Sequence, residues 1–220
     1  MGIDRHPVQY AVKRVLDPVL ALTALVALSP LLVGIAAAVV ADSGRPVLFL
    51  SRRAGNRGRP FSMLKFRTMV PGAIELGRRL NLTEDPFGVV ADDPRVTRVG
   101  RWLRRTGLDE LPQLWNVVTG DMSLVGPRAD LVEQAENYQG EEARRLLVRP
   151  GITGWAQVHG RDSIPWEERF AYDLEYLDRW SLWFDARILA LTVRELFRDD
   201  PQPVRDTLNI ERARQRSARP

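Results

Sequence analysis

The chain has no cysteine, which excludes a disulfide framework, a thiol nucleophile and a Cys-ligated zinc. Imidazole is almost as scarce. His6 and His159 are the only histidines, so any metal must sit on carboxylates, which favours Mg²⁺, with Mn²⁺ as the alternative. Lysine is nearly missing too. With Lys13 and Lys65 alone, the formal charge of +4 rests on arginine. A guanidinium grips phosphate through a planar fork, so anionic lipid, nucleic acid and nucleotide diphosphates are the partner classes this bias favours. At 220 residues and 45% apolar, the chain can bury the core of one domain.

Against these shortages stands one long apolar segment, Val15 to Ala41, in which Pro18 to Ala41 carries only Thr23 and Ser29 as polar side chains. A run of this length could cross the hydrocarbon core, and it is too long for the apolar part of a signal peptide. Basic residues flank both ends, Lys13 and Arg14 before it and Arg45, Arg52 and Arg53 after it, which places both ends on one side of a membrane. Ser29-Pro30 breaks the run in its middle. Proline removes a backbone donor and clashes with the preceding turn, while the serine can satisfy a freed carbonyl, so the pair predicts a sharp bend. Each half is too short to span alone. The pattern predicts a re-entrant helix-break-helix, with a tilted, kinked spanning helix and a buried hairpin of a soluble protein as alternatives. Asp17 is placed to pair with Lys13 or Arg14.

Val47 to Ser51 and Phe61 to Arg67 alternate as two short strands around a Gly- and Arg-rich turn, a hairpin expected to show Lys65 and Arg67 on one face. Pro71 to Asp85 reads as a helix, and Asp85-Pro86 and Asp92-Asp93-Pro94 mark loops. The densest stretch is Arg95 to Asp130. Arg98, Arg101, Arg104 and Arg105 recur at near-helical spacing with Trp102 and Leu103 expected opposite, as in a basic amphipathic helix on anionic headgroups, or an ordinary solvated one. Gly107 ends that helix. Asp109-Glu110 then open the next, with Pro112 in its first turn. Adjacent acids there can simply complement the helix dipole. Asn116, Asp121 and the Gly126-Pro127 turn that aims Arg128 suggest more. Two carboxylates beside a fixed arginine are the parts for Mg²⁺-assisted phosphoryl transfer, with one carboxylate holding the metal and the other attacking phosphorus.

Taken together, the broken apolar segment, "KFRTM" at 65–69, "DPRVTRVGRWLRRTGLDELPQLWNVVTGDMSLVGPR" at 93–128 and "RPGITGWAQVHGR" at 149–161 resemble the bacterial sugar transferase family of monotopic phosphoglycosyl transferases. The resemblance runs from about Lys13 to Phe197. It implies transfer of a sugar 1-phosphate from a UDP-sugar to undecaprenyl phosphate with release of UMP, initiating glycan assembly at the cytoplasmic face of the bacterial inner membrane. Carried over by position, it implies Asp109 as nucleophile, Glu110 as its partner in the dyad, both as Mg²⁺ ligands, and Arg128 as the phosphate-binding arginine. Lys65, Arg67, Arg95 and Arg104 would be supporting cations, and Gln157 a substrate contact. The implied partners are the UDP-sugar, undecaprenyl phosphate and membrane lipid, without nucleic acid, and a homodimer is compatible.

Three positions depart from the expected pattern. Ser51 stands where glutamine is usual, Ala129 replaces the second proline of Pro-Arg-Pro, and His159 replaces an asparagine, more in keeping with a structural histidine than an acid-base group. Trp155 suits core packing or base stacking equally. Trp166 to Phe197 reads as helical, its Tyr172, Tyr176, Trp180, Trp183 and Phe184 fitting a membrane interface or a core. The expected fold is α/β, mainly helical with a small β-hairpin: a re-entrant element at 1–44, a cytoplasmic catalytic domain at 45–198 and a polar, poorly ordered tail at 199–220. Two rivals stay open: a noncatalytic basic membrane-bound adaptor, and direct transfer in a ternary complex with no covalent intermediate.

Overall fold

The computed structural model describes residues 6–80, 93–160 and 164–195. Arg161, the expected loop at Asp85-Pro86 and Asp92, and the tail at 199–220 lie outside the described residues.

Two helices open the chain, α1 at Pro7–Ala27 and α2 at Ser29–Ser43. They bend by 64° where the sequence places the break. Pro30 falls in the first turn of α2, where its missing N–H costs nothing, and Ser29 Oγ donates to the Val26 carbonyl at 2.8 Å. No single described helix is long and apolar enough to cross a membrane; the bent pair passes that test only together. One stripe of α1, Lys13, Asp17 and Ala21, is buried at helical spacing, while Val15, Val19 and Val26 on its other side are 64%, 55% and 68% exposed. The pairing of Lys13 with Asp17 is present, but buried rather than on the surface.

Strands β1, Leu48–Ala54, and β2, Pro60–Phe66, form the expected antiparallel hairpin, with Phe49 opposite Lys65 and Arg53 opposite Phe61. The helix expected over Pro71 to Asp85 is present as α3 at Ala73–Arg79, starting two residues later, and the expected part from 81 to 85 lies outside the described residues. Helix α4, Arg98–Thr106, is capped by Thr97, whose side chain accepts from the Gly100 N–H. It ends at Gly107, whose φ of 70° suits glycine. Trp102 and Leu103 do not share a face as expected: Leu103 is fully buried and Trp102 is 43% exposed. Consecutive residues lie about 100° apart on a helix, enough to part them at the edge of a narrow buried face.

Asp109 and Glu110 sit in their own 3₁₀ turn, Leu108–Glu110, rather than at the start of the next helix. Pro112 caps that helix, α5 at Gln113–Val118, from outside it. Asn116 of α5 accepts from the Leu64 N–H and donates to the Ser62 carbonyl, both at 2.9 Å, so it serves as a false neighbour for the open edge of β2.

A second sheet had no counterpart in the sequence reading: β3, Ser123–Val125, pairs in parallel with β4, Gly151–Thr153. Its strands come close because Gly126 and Gly151 lack side chains; a Cβ on Gly126 would stand 2.7 Å from the Arg149 carbonyl oxygen. The short helix α6, Val132–Ala135, follows β3. The C-terminal helical stretch is two helices, α7 at Trp166–Arg179 and α8 at Leu182–Glu195, because Trp180 leaves helical geometry between them. The aromatic stripe is mostly core. Tyr176, Trp180 and Phe184 pack with Val125 and Ile188, and of the residues named only Trp183, 80% exposed, faces outward. Two further clusters join α1, α5 and β2 around Met63 and Val117, and α2, α4 and β2 around Phe66 and Leu103. Each such side chain contributes about 2 kcal/mol of burial.

Candidate active site

The site lies where the 3₁₀ turn of Asp109 and Glu110 faces β2 and the loop after β3. Glu110 Oε1 accepts from Lys65 Nζ at 2.7 Å and from Arg128 Nη2 at 3.1 Å. Asp109 carries no side-chain hydrogen bond among the described residues. Two adjacent carboxylates therefore sit in unequal surroundings. Burial alone would raise the Glu110 pKa, but Arg128 and Lys65 outweigh it and hold the group well below the usual carboxylate range. Burial, then the charge on Glu110, pushes Asp109 up to about 6, against the weaker pull of Lys65, Arg104 and Arg128.

Arg128 owes its place to a buried scaffold. Arg145, 6% exposed, donates from Nε to Asp173 Oδ2 at 2.8 Å and from Nη1 to Asp130 Oδ2 at 2.5 Å. Its Nη2 reaches the Arg128 carbonyl at 3.4 Å, and Tyr138 OH donates to Asp130 at 2.7 Å. The loop 128–130 is thus pinned from beneath even though Ala129 stands where a second proline was expected; Ala129 itself is buried.

The remaining expected cations divide. Arg104 Nε donates to Thr68 Oγ1 at 2.8 Å and reaches Asp109 only through space. Arg95 is held in a fork by Asp93, with Nε–Oδ1 at 2.9 Å and Nη2–Oδ2 at 2.7 Å. Arg67 parts from Lys65: it lies past the end of β2 and donates to the Ser43 and Gly44 carbonyls, at 2.8 and 2.6 Å, closing the C-terminus of α2. The one-face expectation for Lys65 and Arg67 fails because the strand stops at Phe66. Asn116 is occupied by the strand edge, and Asp121 is exposed beside Thr119. Gln157 is buried near Gly154 with neither amide atom hydrogen-bonded.

Trp155 and His159 both pack into the fold. Trp155 is buried against Phe184 and donates to Glu175, while His159 stacks on Tyr172 and contacts the Trp155 carbonyl through Nδ1. One residue was missed. Arg53, on the same hairpin face as Lys65, donates from Nε to Ser51 Oγ at 3.0 Å and feels Arg128 and Glu110. Burial first, then Arg128, lowers its pKa. Strand alternation carried across the hairpin, from Lys65 to Phe49 and on to Ser51 and Arg53, could have found it.

A half-buried, unequal carboxylate pair beneath converging cations is a site suited to an anionic, phosphate-like group. The bacterial sugar transferase family model matches residues 8–199. The chain is 42% identical over 184 residues to the "Uncharacterized sugar transferase EpsL" of Bacillus subtilis, covering 84% of this chain and 86% of that one. It is 44% identical over 189 residues to the UDP-glucose:undecaprenyl-phosphate glucose-1-phosphate transferase of Escherichia coli, and 39% identical over 196 to the undecaprenyl-phosphate galactose phosphotransferase of Salmonella typhimurium. These matches cover 82% and 86% of this chain but 39% and 41% of the two relatives, so the chain spans about two fifths of their length. The chain belongs to the bacterial sugar transferase family.

Proposed function

We propose that this protein transfers a sugar 1-phosphate from a UDP-sugar to undecaprenyl phosphate, releasing UMP, through a covalent intermediate on Asp109. The observation that carries this reading is the asymmetry of the dyad. Glu110 is fixed and ionised by two cations, while Asp109 has no hydrogen-bond partner among the described residues and titrates at about 6, so at neutral pH it is a carboxylate without a hydrogen-bond partner in a half-buried setting.

In the first step an Asp109 carboxylate oxygen attacks the β-phosphorus of the donor. A bond forms from that oxygen to phosphorus, the bond from phosphorus to the bridging oxygen breaks, and UMP leaves with the electron pair. Arg128 and Lys65 stand where charge gathers on the phosphoryl oxygens. In the second step an oxygen of the lipid phosphate attacks the same phosphorus, the aspartyl-phosphorus bond breaks, and the carboxylate is restored. Mg²⁺ suits the donor chemistry, because Asp109 and the second oxygen of Glu110 are hard oxygen ligands; no group of three metal-ligating side chains stands among the described residues, so the protein would supply only these two carboxylates. Held by these two carboxylates with donor phosphate oxygens and water, the ion would neutralise the diphosphate.

The lipid acceptor places the protein at a membrane. Helices α1 and α2, bent by 64° and apolar on their exposed side, support a re-entrant seat on the inner membrane with the catalytic residues in the cytoplasm, serving glycan initiation. Incubating the protein with Mg²⁺ and a panel of UDP-sugars, with and without undecaprenyl phosphate, tests the reading. UMP release and a lipid-linked sugar from one donor are expected; no turnover of any nucleotide sugar by folded protein would leave the adaptor reading in its place.

A further inference from the structure

At the far end of the hairpin from the dyad lies a second basic cleft of about 610 Å³, within the range of small-ligand sites. Arg14 of α1, Arg57 and Arg59 of the hairpin turn, and Arg149 before β4 line it, with Asp121 the one acid among the described lining residues. None of the dyad, Lys65 or Arg128 lines it. Five residues of extended strand, roughly 16 Å, separate Pro60 at this cleft from Lys65 at the other. Unlike Arg95, Arg104, Arg128 and Arg145, none of these four guanidiniums has an ion-pair or side-chain hydrogen-bond partner among the described residues. Four cations around one acid give the cleft a net positive charge that attracts anions.

We propose that this cleft is a second phosphate-binding site, and that its ligand is the headgroup of an anionic membrane lipid. The choice of lipid over free phosphate rests on the membrane seating proposed above and on what borders the cleft. Arg14 and Arg149 line it beside the apolar side chains of Tyr10, Phe61 and Leu147, the last 50% exposed, so charge and apolar surface meet at one junction. A ligand with a charged head and an apolar tail matches both sides of that junction; a free phosphate matches one.

The test is vesicle partitioning of the full chain, read as the ratio of binding to phosphatidylcholine vesicles with and without phosphatidylglycerol. The wild type should favour the anionic vesicles at least tenfold. Arg57→Ala/Arg59→Ala, in an exposed turn, should bring the ratio close to one with binding to pure phosphatidylcholine unchanged. Arg78→Ala/Arg79→Ala should keep the wild-type ratio, because those arginines already face Glu75. The proposal is overturned if the hairpin variant keeps its preference, or if the control loses as much. Calorimetric binding of inorganic pyrophosphate in detergent, lost in the hairpin variant and unaccompanied by any vesicle preference, overturns the lipid assignment. Failure to bind even neutral vesicles refutes the membrane seating, whereas loss of the anionic preference alone refutes only the cleft.

Discussion

Two clusters in this molecule are built from the same parts. In one, Lys65 and Arg128 converge on Glu110 beside Asp109; in the other, Lys13 lies 2.7 Å from Asp185 and 3.2 Å from Asp17, between α1 and α8. The second is closed. Ser123 Oγ donates to Asp17, Tyr176 OH donates to Asp185 Oδ1 at 2.9 Å, and Trp180 Nε1 donates to Asp185 Oδ2 at 3.3 Å, so both carboxylates are hydrogen-bonded. In the first, one carboxylate takes both cations and the other is left without a hydrogen bond among the described residues. Carboxylates beside cations are therefore not what distinguishes a site here. Unused bonding capacity on a group near its titration point is.

Breaking each cluster should separate chemistry from stability. Asp109→Asn should lower turnover about 10⁴-fold or more while the protein stays folded, measured as UMP release at saturating donor. Lys13→Met should do the reverse. Two buried carboxylates would lose their cation, at about 3–5 kcal/mol in denaturant unfolding, with turnover per folded molecule unchanged. Arg128→Ala should lower turnover about 10²–10³-fold, the size of a lost oxyanion donor, with little change in stability because its guanidinium is 40% exposed.

Smaller effects sharpen the contrast. Because the raised pKa of Asp109 is about 6 and the carboxylate is the attacking form, turnover should fall about tenfold per pH unit below 6 in a pH-rate profile. The same shift has a stability sign. Ionising Asp109 costs more in the folded protein than in the unfolded chain, so stability is lost as pH rises through about 6. Asp109→Asn should remove that cost, adding about 1–2 kcal/mol at pH 8 and nothing below the unfolded carboxylate range, as seen in paired unfolding curves.

Features written in neighbouring residues were legible in the sequence. Ser29-Pro30 marked the bend, Gly107 the end of α4, and the alternation around Arg52 to Pro60 the hairpin. Features made by distant pairing were not. The parallel pair β3–β4 joins strands of three residues more than twenty positions apart, too short for periodicity to show. Arg145 looked like one arginine of many until the fold set it beneath the Arg128 loop. The Trp180 stripe had the composition of a membrane interface, and only its packing against Val125 and Ile188 assigned it to the core. In the candidate site the meeting of Asp109-Glu110 with Arg128 was readable from motif and turn, whereas the local partners that hold Arg67 and Arg95 are not revealed by composition.

The most direct test of the unequal dyad is intact-protein mass spectrometry after rapid mixing with Mg²⁺ and the active UDP-sugar, without lipid acceptor. The account predicts an adduct of one sugar phosphate, mapped to the peptide carrying Asp109, formed as UMP is released and absent from Asp109→Asn. UMP released only when acceptor is also present, with no adduct at any quench time, would contradict it and make the transfer direct.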